Sequence, residues 1–356
     1  MPPGAPIRRT AGGFPTLAAV RAPVDPTAAD VDVVGIGNAL VDVLSHETDE
    51  LIDRLGIPKG GMTLIDGERA DEIYELMGPA VEISGGSAAN TIVGVAVMGG
   101  RSEYLGKVRD DQLGEVFAHD IRATGVRYDV ALAESGPSTG CCLILVTPDA
   151  QRTMNTYLGA SVHLGPGDVD PERITRASVL YLEGYLYDPP EAQEAFRVAA
   201  RYAHDAGRIV SATLSDSFCV ERHHGAFLDL VEHHVDLLFA NEPEILALYR
   251  TDDFDEAVAA VREHVPYAAL TRSAKGSVVV TPDEVIEVPA VPIDELVDTT
   301  GAGDLYAAGF LHGFSLGAEL ETCGRLGSMA AAEVIAHIGA RPVDDLAGQA
   351  RALLGG

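Results

Sequence analysis

The stretch Val297-Asp298-Thr299-Thr300-Gly301-Ala302-Gly303-Asp304 is followed by an apolar run, Leu305 to Leu311, whose periodicity predicts a helix. A helix that begins here directs its first free N–H groups, and the positive end of its dipole, at whatever lies in front of it. The three small residues before Asp304 let an anion approach that backbone closely. Asp304 would then stand beside the anion, where it could take a proton from an attacking hydroxyl. Alternatively, it is an acid that matches the helix dipole.

The overall composition limits the classes of partner. The chain has 356 residues, of which 47% are hydrophobic, enough for one large α/β domain or two smaller ones with a buried core. A formal net charge of −29 argues against nucleic acid or an anionic membrane surface as a partner. No apolar run is long enough to cross a bilayer. A polyanionic substrate would have to meet a locally positive pocket.

The cysteines and the N-terminal segment bear on location. Cys141, Cys142, Cys219 and Cys323 lack the C-x-x-C spacing of a zinc or redox pair, and they are typical of small core residues in a reducing compartment. Residues 1–30 are rich in Pro, Ala and Gly, and their short apolar patch is too weak for a secretory signal. We therefore expect a disordered extension over residues 1–30 and a cytoplasmic protein.

Strand-like and helix-like segments alternate from residue 178 onward. The predicted strands are 179–182, 209–214, 236–240 and 267–270, and the predicted helices between them are 190–206, 220–231 and 242–249. This alternation, with apolar strands, predicts a parallel sheet that is covered by helices on both faces. Ligands of such sheets bind beyond the carboxyl ends of the strands. Four residues follow predicted strands or open predicted helices and could share that rim: Asp42, Gly86, Asn241 and Asp304.

Two motifs resemble those of the ribokinase-like sugar and nucleoside kinases, the PfkB family. The stretch 298–304 resembles the C-terminal signature of that family, and Gly85-Gly86-Ser87-Ala88-Ala89-Asn90 resembles its upstream companion. Gly99-Gly100 and Leu105-Gly106-Lys107 follow at the spacing that the family uses, so the resemblance covers roughly residues 32–342. It implies a three-layer α/β/α fold with a mostly parallel central sheet and a small β-sheet lid.

The resemblance also implies a domain organisation. The kinase domain would span residues 31–346, with the lid formed by about 43–84 and 127–158. Residues 347–356 would form a C-terminal tail.

The family resemblance implies roles at the reacting centre. In-line phosphoryl transfer would use Asp304 to deprotonate a primary hydroxyl, while the backbone before it stabilises the moving phosphoryl group. The implied catalytic residues are Asp304, Gly301, Ala302, Gly303 and Arg152, the last of which would approach the phosphate from the lid. The implied substrate-binding residues are Asn38, Asp42, Gly85, Gly86, Ser87 and Asn90. Asp42 would bind sugar hydroxyls, and Ser87 would cap a helix over Ala88 to Met98.

The nucleotide half of the site is implied by a second group of residues. Asn241-Glu242-Pro243-Glu244 matches the family's Asn-x-x-Glu motif, whose Glu organises magnesium through water, and the same residues also fit an ordinary helix N-cap. Thr271, Gly276 and Ser328 would lie near the nucleotide, although the family often has Asn or His at the position of Ser328. The implied phosphoryl donor is ATP with Mg²⁺. Asp298 and Thr300, with the loop 339–342, could hold K⁺.

Two further stretches of sequence bear on which substrate is phosphorylated. Residues 37–42 and 183–186 look closer to adenosine kinases than to ribokinases or fructokinases, which implies that adenosine is phosphorylated to AMP. The apolar slot that a base requires could be lined by Met62, Leu64, Cys142 or Tyr157. Inosine, guanosine, or a free sugar such as ribose, fructose or a keto-deoxy sugar acid stay open as substrates. A monomer and a homodimer are both open.

Two other functional classes are disfavoured. A non-catalytic sensor would have no reason to keep Asp304, the glycines before it and the Asn241/Glu244 pair. An oxidoreductase that binds a dinucleotide is disfavoured because Leu40 occupies the third glycine position after Gly35-x-Gly37. No P-loop motif occurs in the chain.

Overall fold

The computed structural model describes residues 29–149 and 151–355. The strands are β1 (Val31–Ile36), β2 (Leu40–His46), β3 (Met62–Leu64), β4 (Ala80–Gly85), β5 (Ser102–Leu105), β6 (Gly140–Val146), β7 (Arg152–Tyr157), β8 (Ala177–Glu183), β9 (Ile209–Thr213), β10 (Leu237–Asn241), β11 (Tyr267–Thr271), β12 (Ser277–Val280) and β13 (Val285–Val288). The helices are α1 (Asp49–Leu55), α2 (Gly67–Leu76), α3 (Ser87–Val97), α4 (Gln112–Ala123), α5 (Pro171–Thr175), α6 (Pro190–Asp205), α7 (Ser217–Arg222), α8 (His224–His234), α9 (Glu242–Tyr249), α10 (Phe254–Arg262), α11 (Ala302–Ser315), α12 (Leu320–Val334) and α13 (Leu346–Leu353).

The larger sheet has eight strands in the order β13-β12-β11-β10-β9-β8-β1-β5. Six neighbouring strands of this sheet run parallel: β5, β1, β8, β9, β10 and β11. Strands β12 and β13 continue the sheet as an antiparallel edge. Because the chain adds β5 on one side of β1 and β8 on the other, the strand order reverses between β1 and β8. Ligand clefts of such sheets open at this kind of point, beyond the carboxyl ends Ile36 and Glu183.

Helices cover both faces of this sheet. Every residue of β1 and β8 is buried, as expected for strands that are packed on two sides. One face packs against apolar residues of α3, α11 and α12, and the opposite face against those of α6, α8, α9 and α10. The predicted three-layer α/β/α architecture with a mostly parallel sheet is therefore confirmed.

The smaller sheet has five strands in the order β3-β7-β6-β2-β4. One face of it, which includes Val43 and Leu143, joins the main core together with α1 and α2. The opposite face carries Asp42, because successive side chains of a strand alternate between faces. These strands lie largely within the segments expected for the lid, 43–84 and 127–158, although β2 begins at Leu40.

Several expectations meet a different structure. The single helix predicted over 220–231 is wrong: α7 and α8 are separated at His223, whose backbone is not helical (φ −118°, ψ 31°) and whose ring lies 2.9 Å from Asp188. Residues 347–356, expected as a tail, include most of α13, which buries Leu346 and Ala350. The predicted disordered extension, 1–30, falls outside the described residues except for its last two. No helix in the described part of the chain is long and apolar enough to cross a membrane.

Candidate active site

The start of α11 lies open at the surface of the site. Gly301 is its N-cap and has a left-handed backbone (φ 80°), and a Cβ there would lie 2.7 Å from that of Ala340. Gly303 is exposed, and a Cβ built on it would meet nothing within 4 Å in the described residues. Of the predicted anion-binding amides, that of Ala302 donates to Thr299 O at 3.2 Å. The space in front of this helix start is therefore available to a ligand.

Asp304 is held by two residues of the neighbouring helix α3. Ser87 Oγ donates to its Oδ1 at 2.6 Å, and Asn90 Nδ2 donates to its Oδ2 at 3.0 Å. The expectation that Ser87 caps α3 is wrong, because Gly86 is the N-cap and no side chain caps the helix. A capping serine stands just before the helix and accepts from a backbone N–H, whereas Ser87 is already the first helical residue and its hydroxyl donates to Asp304 of α11. The upstream and downstream motifs thus meet at Asp304.

The carboxyl of Asp304 has a pKa well above that of an exposed aspartate. Burial raises its pKa from 3.8 to about 6, while the hydrogen bonds from Ser87 and Asn90 and the charge of Arg341 oppose the rise. Such a carboxyl is mostly ionised at pH 7, yet it is more basic than an exposed aspartate. This is the range in which a general base is effective.

Asp42 lies inside β2, across a glycine turn from α3. It is paired in the sheet with Ile83 and Cys142. A side chain at Gly85 would overlap its carboxyl group, and one at Gly86 (φ 100°) would overlap the carbonyl of Asn38. Burial raises the pKa of Asp42 to about 6. The turn therefore requires glycine so that the chain can pass close to this acid.

Asn38 is a buried link and does not face the open space. Its backbone N and Nδ2 donate to Glu183 Oε1 at 3.1 and 2.8 Å, and Ser161 Oγ donates to its Oδ1 at 2.9 Å. Glu183 is fully buried, also accepts from the amide of Ala88 at 2.7 Å, and has a pKa raised by burial to about 7. Sequence reasoning assigned no role to Glu183. An acid directly after the apolar predicted strand 179–182 was the signal that could have found it.

Arg152 contacts Asp298, which ties the lid strand β7 to the loop before α11. The ion pair is largely buried on both sides. The other donors to Asp298 are Thr300 N at 3.0 Å, Thr300 Oγ1 at 2.7 Å and Gly339 N at 3.0 Å. Although burial acts to raise the pKa of Asp298, these donors and Arg152 hold it below its usual range. A carboxylate surrounded by donors and already paired with a cation does not fit a second cation such as K⁺.

Asn241 and Glu244 form a capping box at the start of α9. Asn241 Oδ1 accepts from Glu244 N at 2.9 Å, while Asn241 N and Nδ2 donate to the two carboxylate oxygens of Glu244 at 2.9 and 2.7 Å. Burial raises the pKa of Glu244 to about 7. Each carboxylate oxygen of Glu244 keeps a further lone pair that can accept from a metal-bound water, and a nearby divalent cation would favour the ionised carboxylate. Glu244 therefore fits a role in binding magnesium through water. Among the described residues no group of three or more His, Cys, Asp or Glu could hold a metal ion.

The other residues predicted to bind the nucleotide are Thr271, Gly276 and Ser328. Thr271 ends β11 and is paired in register with Asn241, which brings the two to one edge of the sheet. Arg272, next along the chain, pairs with Glu242 at 2.8 Å and stacks 3.8 Å from the ring of Phe254. Gly276 closes the turn that follows, with φ 88°. Ser328 is buried within α12.

Comparisons with known proteins agree with this geometry. The model of the pfkB family of carbohydrate kinases matches residues 61–346. The chain is 52% identical to the adenosine kinase from Sinorhizobium meliloti, with a TM-score of 0.83 over 91% of this chain and 99% of that one. It is 50% identical to a probable sugar kinase from Rhizobium etli CFN 42, with a TM-score of 0.84 over 92% and 99%.

A more distant relative extends the comparison to plants. Adenosine kinase 1 of Arabidopsis thaliana is 26% identical over 334 residues, which cover 86% of this chain and 94% of that protein. The family match covers most of the chain and includes both motifs that meet at Asp304. The chain therefore belongs to the pfkB family of carbohydrate kinases, phosphotransferases that act on a hydroxyl group.

Proposed function

We propose that this kinase transfers the γ-phosphoryl group of ATP to the 5′-hydroxyl of adenosine and so forms AMP. The observation that carries the proposal is the setting of Asp304, a carboxyl with a pKa of about 6 that Ser87 and Asn90 hold at the open start of α11. The choice of a nucleoside is supported by the 52% identity to the adenosine kinase from Sinorhizobium meliloti.

In this mechanism Asp304 would accept the proton of the attacking hydroxyl as its oxygen bonds to the γ-phosphorus, while the bond from that phosphorus to the β,γ-bridging oxygen breaks and ADP leaves. The N–H groups of Gly301 and Gly303, which have no acceptor among the described residues, would donate to the phosphoryl oxygens. The amide of Ala302 would join them only by leaving Thr299 O. Positioning and these fixed dipoles would supply most of the rate enhancement.

The nucleoside would lie on the face of the lid that carries Asp42. Sheet register places Asp42, Cys142, Thr156 and Leu64 in one row across four strands. We infer that Asp42 accepts from two ribose hydroxyls and that the base extends from there along this row, whose four strands span about 14 Å. A cavity of about 260 Å³ at its far end is lined by Leu64, Thr156 and His163, among others. Met62 lies on the same face, and Tyr157 also lines the cavity although its side chain packs against the main core.

The phosphates of ATP would lie between the start of α11 and the start of α9. Glu244 would hold magnesium through water, and the bound metal would neutralise charge on the phosphates. Arg152 would support the transferred group from the lid through its Nε, which is buried without a hydrogen-bond partner in the described residues, while the ion pair with Asp298 is kept. Because Asp298 does not fit a further cation in this arrangement, potassium has no part in the mechanism.

The test is ADP release from Mg-ATP with adenosine, inosine, guanosine, ribose, fructose and 2-keto-3-deoxygluconate in parallel. We expect turnover with adenosine and none with free ribose. The 50% identity to a probable sugar kinase makes a sugar the alternative substrate. Turnover on a free sugar alone would refute the nucleoside assignment and leave the role of Asp304 intact. Turnover on inosine or guanosine in place of adenosine would refute only the choice of base.

A further inference from the structure

Arg341 bridges the two sides of the glycine turn that precedes α3. It comes from the loop after α12, and its guanidinium donates to the carbonyl oxygen of Ser84. The same guanidinium donates to Ser84 Oγ at 3.0 Å and to the carbonyl of Ala89 at 3.3 Å. Ser84 is the last residue before the turn, and Ala89 lies in the first turn of the helix. Arg341 therefore holds the strand that packs against Asp42 to the helix that holds Asp304.

The far side of this bridge is also anchored. Asp120 of α4 accepts from Ser84 N at 2.8 Å and from Ser84 Oγ at 2.6 Å. Arg341 interacts electrostatically with Asp42, Asp120, Asp304 and Tyr104, so it is a cation among acids drawn from four separate elements. Among the described residues no carboxylate forms an ion pair with Arg341, so its charge acts on Asp42, Asp120 and Asp304 at longer range.

The groups that face Asp304 show why one cation matters. Ser87 and Asn90 of α3 donate to it. The other titratable or charged groups that interact with it are Asp42 of β2, Tyr181 and Glu183 of β8, Tyr185 after β8, and Arg341. The others in this set are neutral or acidic, so Arg341 is the member that favours an ionised Asp304 by its charge.

We propose that Arg341 is a positioning residue for phosphoryl transfer, which fixes the turn between Ser84 and Ala89 and sets a positive charge among the acids that surround Asp304. The inference rests on the proposed role of Asp304 as base and goes beyond it, because it assigns part of that base's behaviour to a residue far along the chain. Arg341 would therefore have two distinguishable effects. The hydrogen bonds set the geometry, and the charge sets the pH at which the base works.

The experiment compares Arg341→Met, which removes both effects, with Arg341→Lys, which keeps the charge and loses the planar bridge. The readout is kcat/KM from pH 5 to 9 with the accepted substrate of the panel above. We expect Arg341→Met to move the acidic limb to higher pH, so that its loss of kcat/KM is severalfold larger at pH 6 than at pH 8. Arg341→Lys should lower kcat with the limb unmoved.

A matched control is Arg122→Met. Arg122 also donates to a backbone carbonyl, that of Tyr128 at 2.7 Å, but it does not face Asp304. We expect its pH profile to match the wild type, and an equal shift in this control would overturn the proposal. If circular dichroism shows that Arg341→Met does not fold, Arg341→Gln replaces it as the neutral variant.

The outcomes separate this proposal from the one on which it rests. If the acidic limb of the neutral variant lies at the same pH as that of the wild type, the proposed role of Arg341 is overturned and Asp304 can still be the base. A wild-type profile with no acidic limb near pH 6 would overturn both.

Discussion

Replacing Asp304 by Asn should strongly reduce turnover and at the same time stabilise the protein. In the folded chain, burial raises the pKa of Asp304 from 3.8 to about 6. A folded-state pKa above the unfolded value means that ionisation favours unfolding, because the unfolded chain loses its proton more easily. A pKa shift of about two units corresponds to a loss of about 3 kcal/mol in the free energy of unfolding. This destabilisation is fully present above pH 6 and vanishes below pH 4.

Asparagine would remove this penalty while keeping the local hydrogen bonds. Its oxygen can accept from Ser87, and its NH₂ group can donate to Asn90 if that amide turns, since Asn90 Oδ1 is buried without a partner. The advantage of Asp304→Asn over the wild type should therefore be at most about 3 kcal/mol at pH 7.5, and about 2 kcal/mol of it should be lost by pH 4.5. Turnover should fall between about 100-fold and 10,000-fold, the usual contribution of a general base.

The assay is urea unfolding of both proteins at pH 4.5, 6 and 7.5, together with turnover at pH 7.5. Carboxyls other than Asp304 titrate in both proteins and largely cancel in the difference. Asp252→Asn, at an exposed position, serves as the control and should match the wild type at each pH. A stability difference that is the same at all three pH values would refute the argument from burial. Near-normal turnover would refute the assignment of Asp304 as the base.

Two further predictions concern the helix start and the cation. Gly303→Ala should lower kcat/KM for ATP with no loss of stability in urea, because a methyl group there meets only the space reserved for the ligand. Gly301→Ala should instead destabilise the fold by about 1–2 kcal/mol, because φ is 80° and Ala340 is close; equal stability of the two variants would contradict this. Replacing potassium by tetramethylammonium at constant ionic strength should leave turnover nearly unchanged, and strong stimulation by potassium would show that Arg152 leaves Asp298.

Much of the fold was predictable because it depends on local signals. The alternation of apolar strands and helices predicted the parallel sheet, and the bounds of the helix predicted over 242–249 agree with α9. Small residues before an acid predicted the helix start at Ala302. The break between α7 and α8 was missed because it depends on Asp188, far along the chain, which contacts both Arg222 and His223.

The site was predictable only in part, because its partners are remote in sequence. Ser87 lies 217 residues from Asp304 in the chain, so a local pattern assigned its hydroxyl to its own helix. Arg341 lies 257 residues from Ser84, and its contacts with that residue follow from tertiary packing alone. The motifs therefore named the residues that meet, whereas the hydrogen bonds between them required the fold.

The treatment of buried acids distinguishes the site from the rest of the protein. Glu103, fully buried in β5, is neutralised by two arginines, Arg173 at 2.5 Å and Arg176. Asp304 and Glu244 are held by Ser and Asn donors instead, and the pKa values of both carboxyls are raised by burial. Neutral donors orient a carboxylate without cancelling its charge, so it keeps its affinity for a proton or a hydrated cation. Cations beside these acids, such as those that pair with Glu103, would cancel this charge, and in the mechanism proposed above the uncancelled charge of Asp304 is what takes the proton of the hydroxyl.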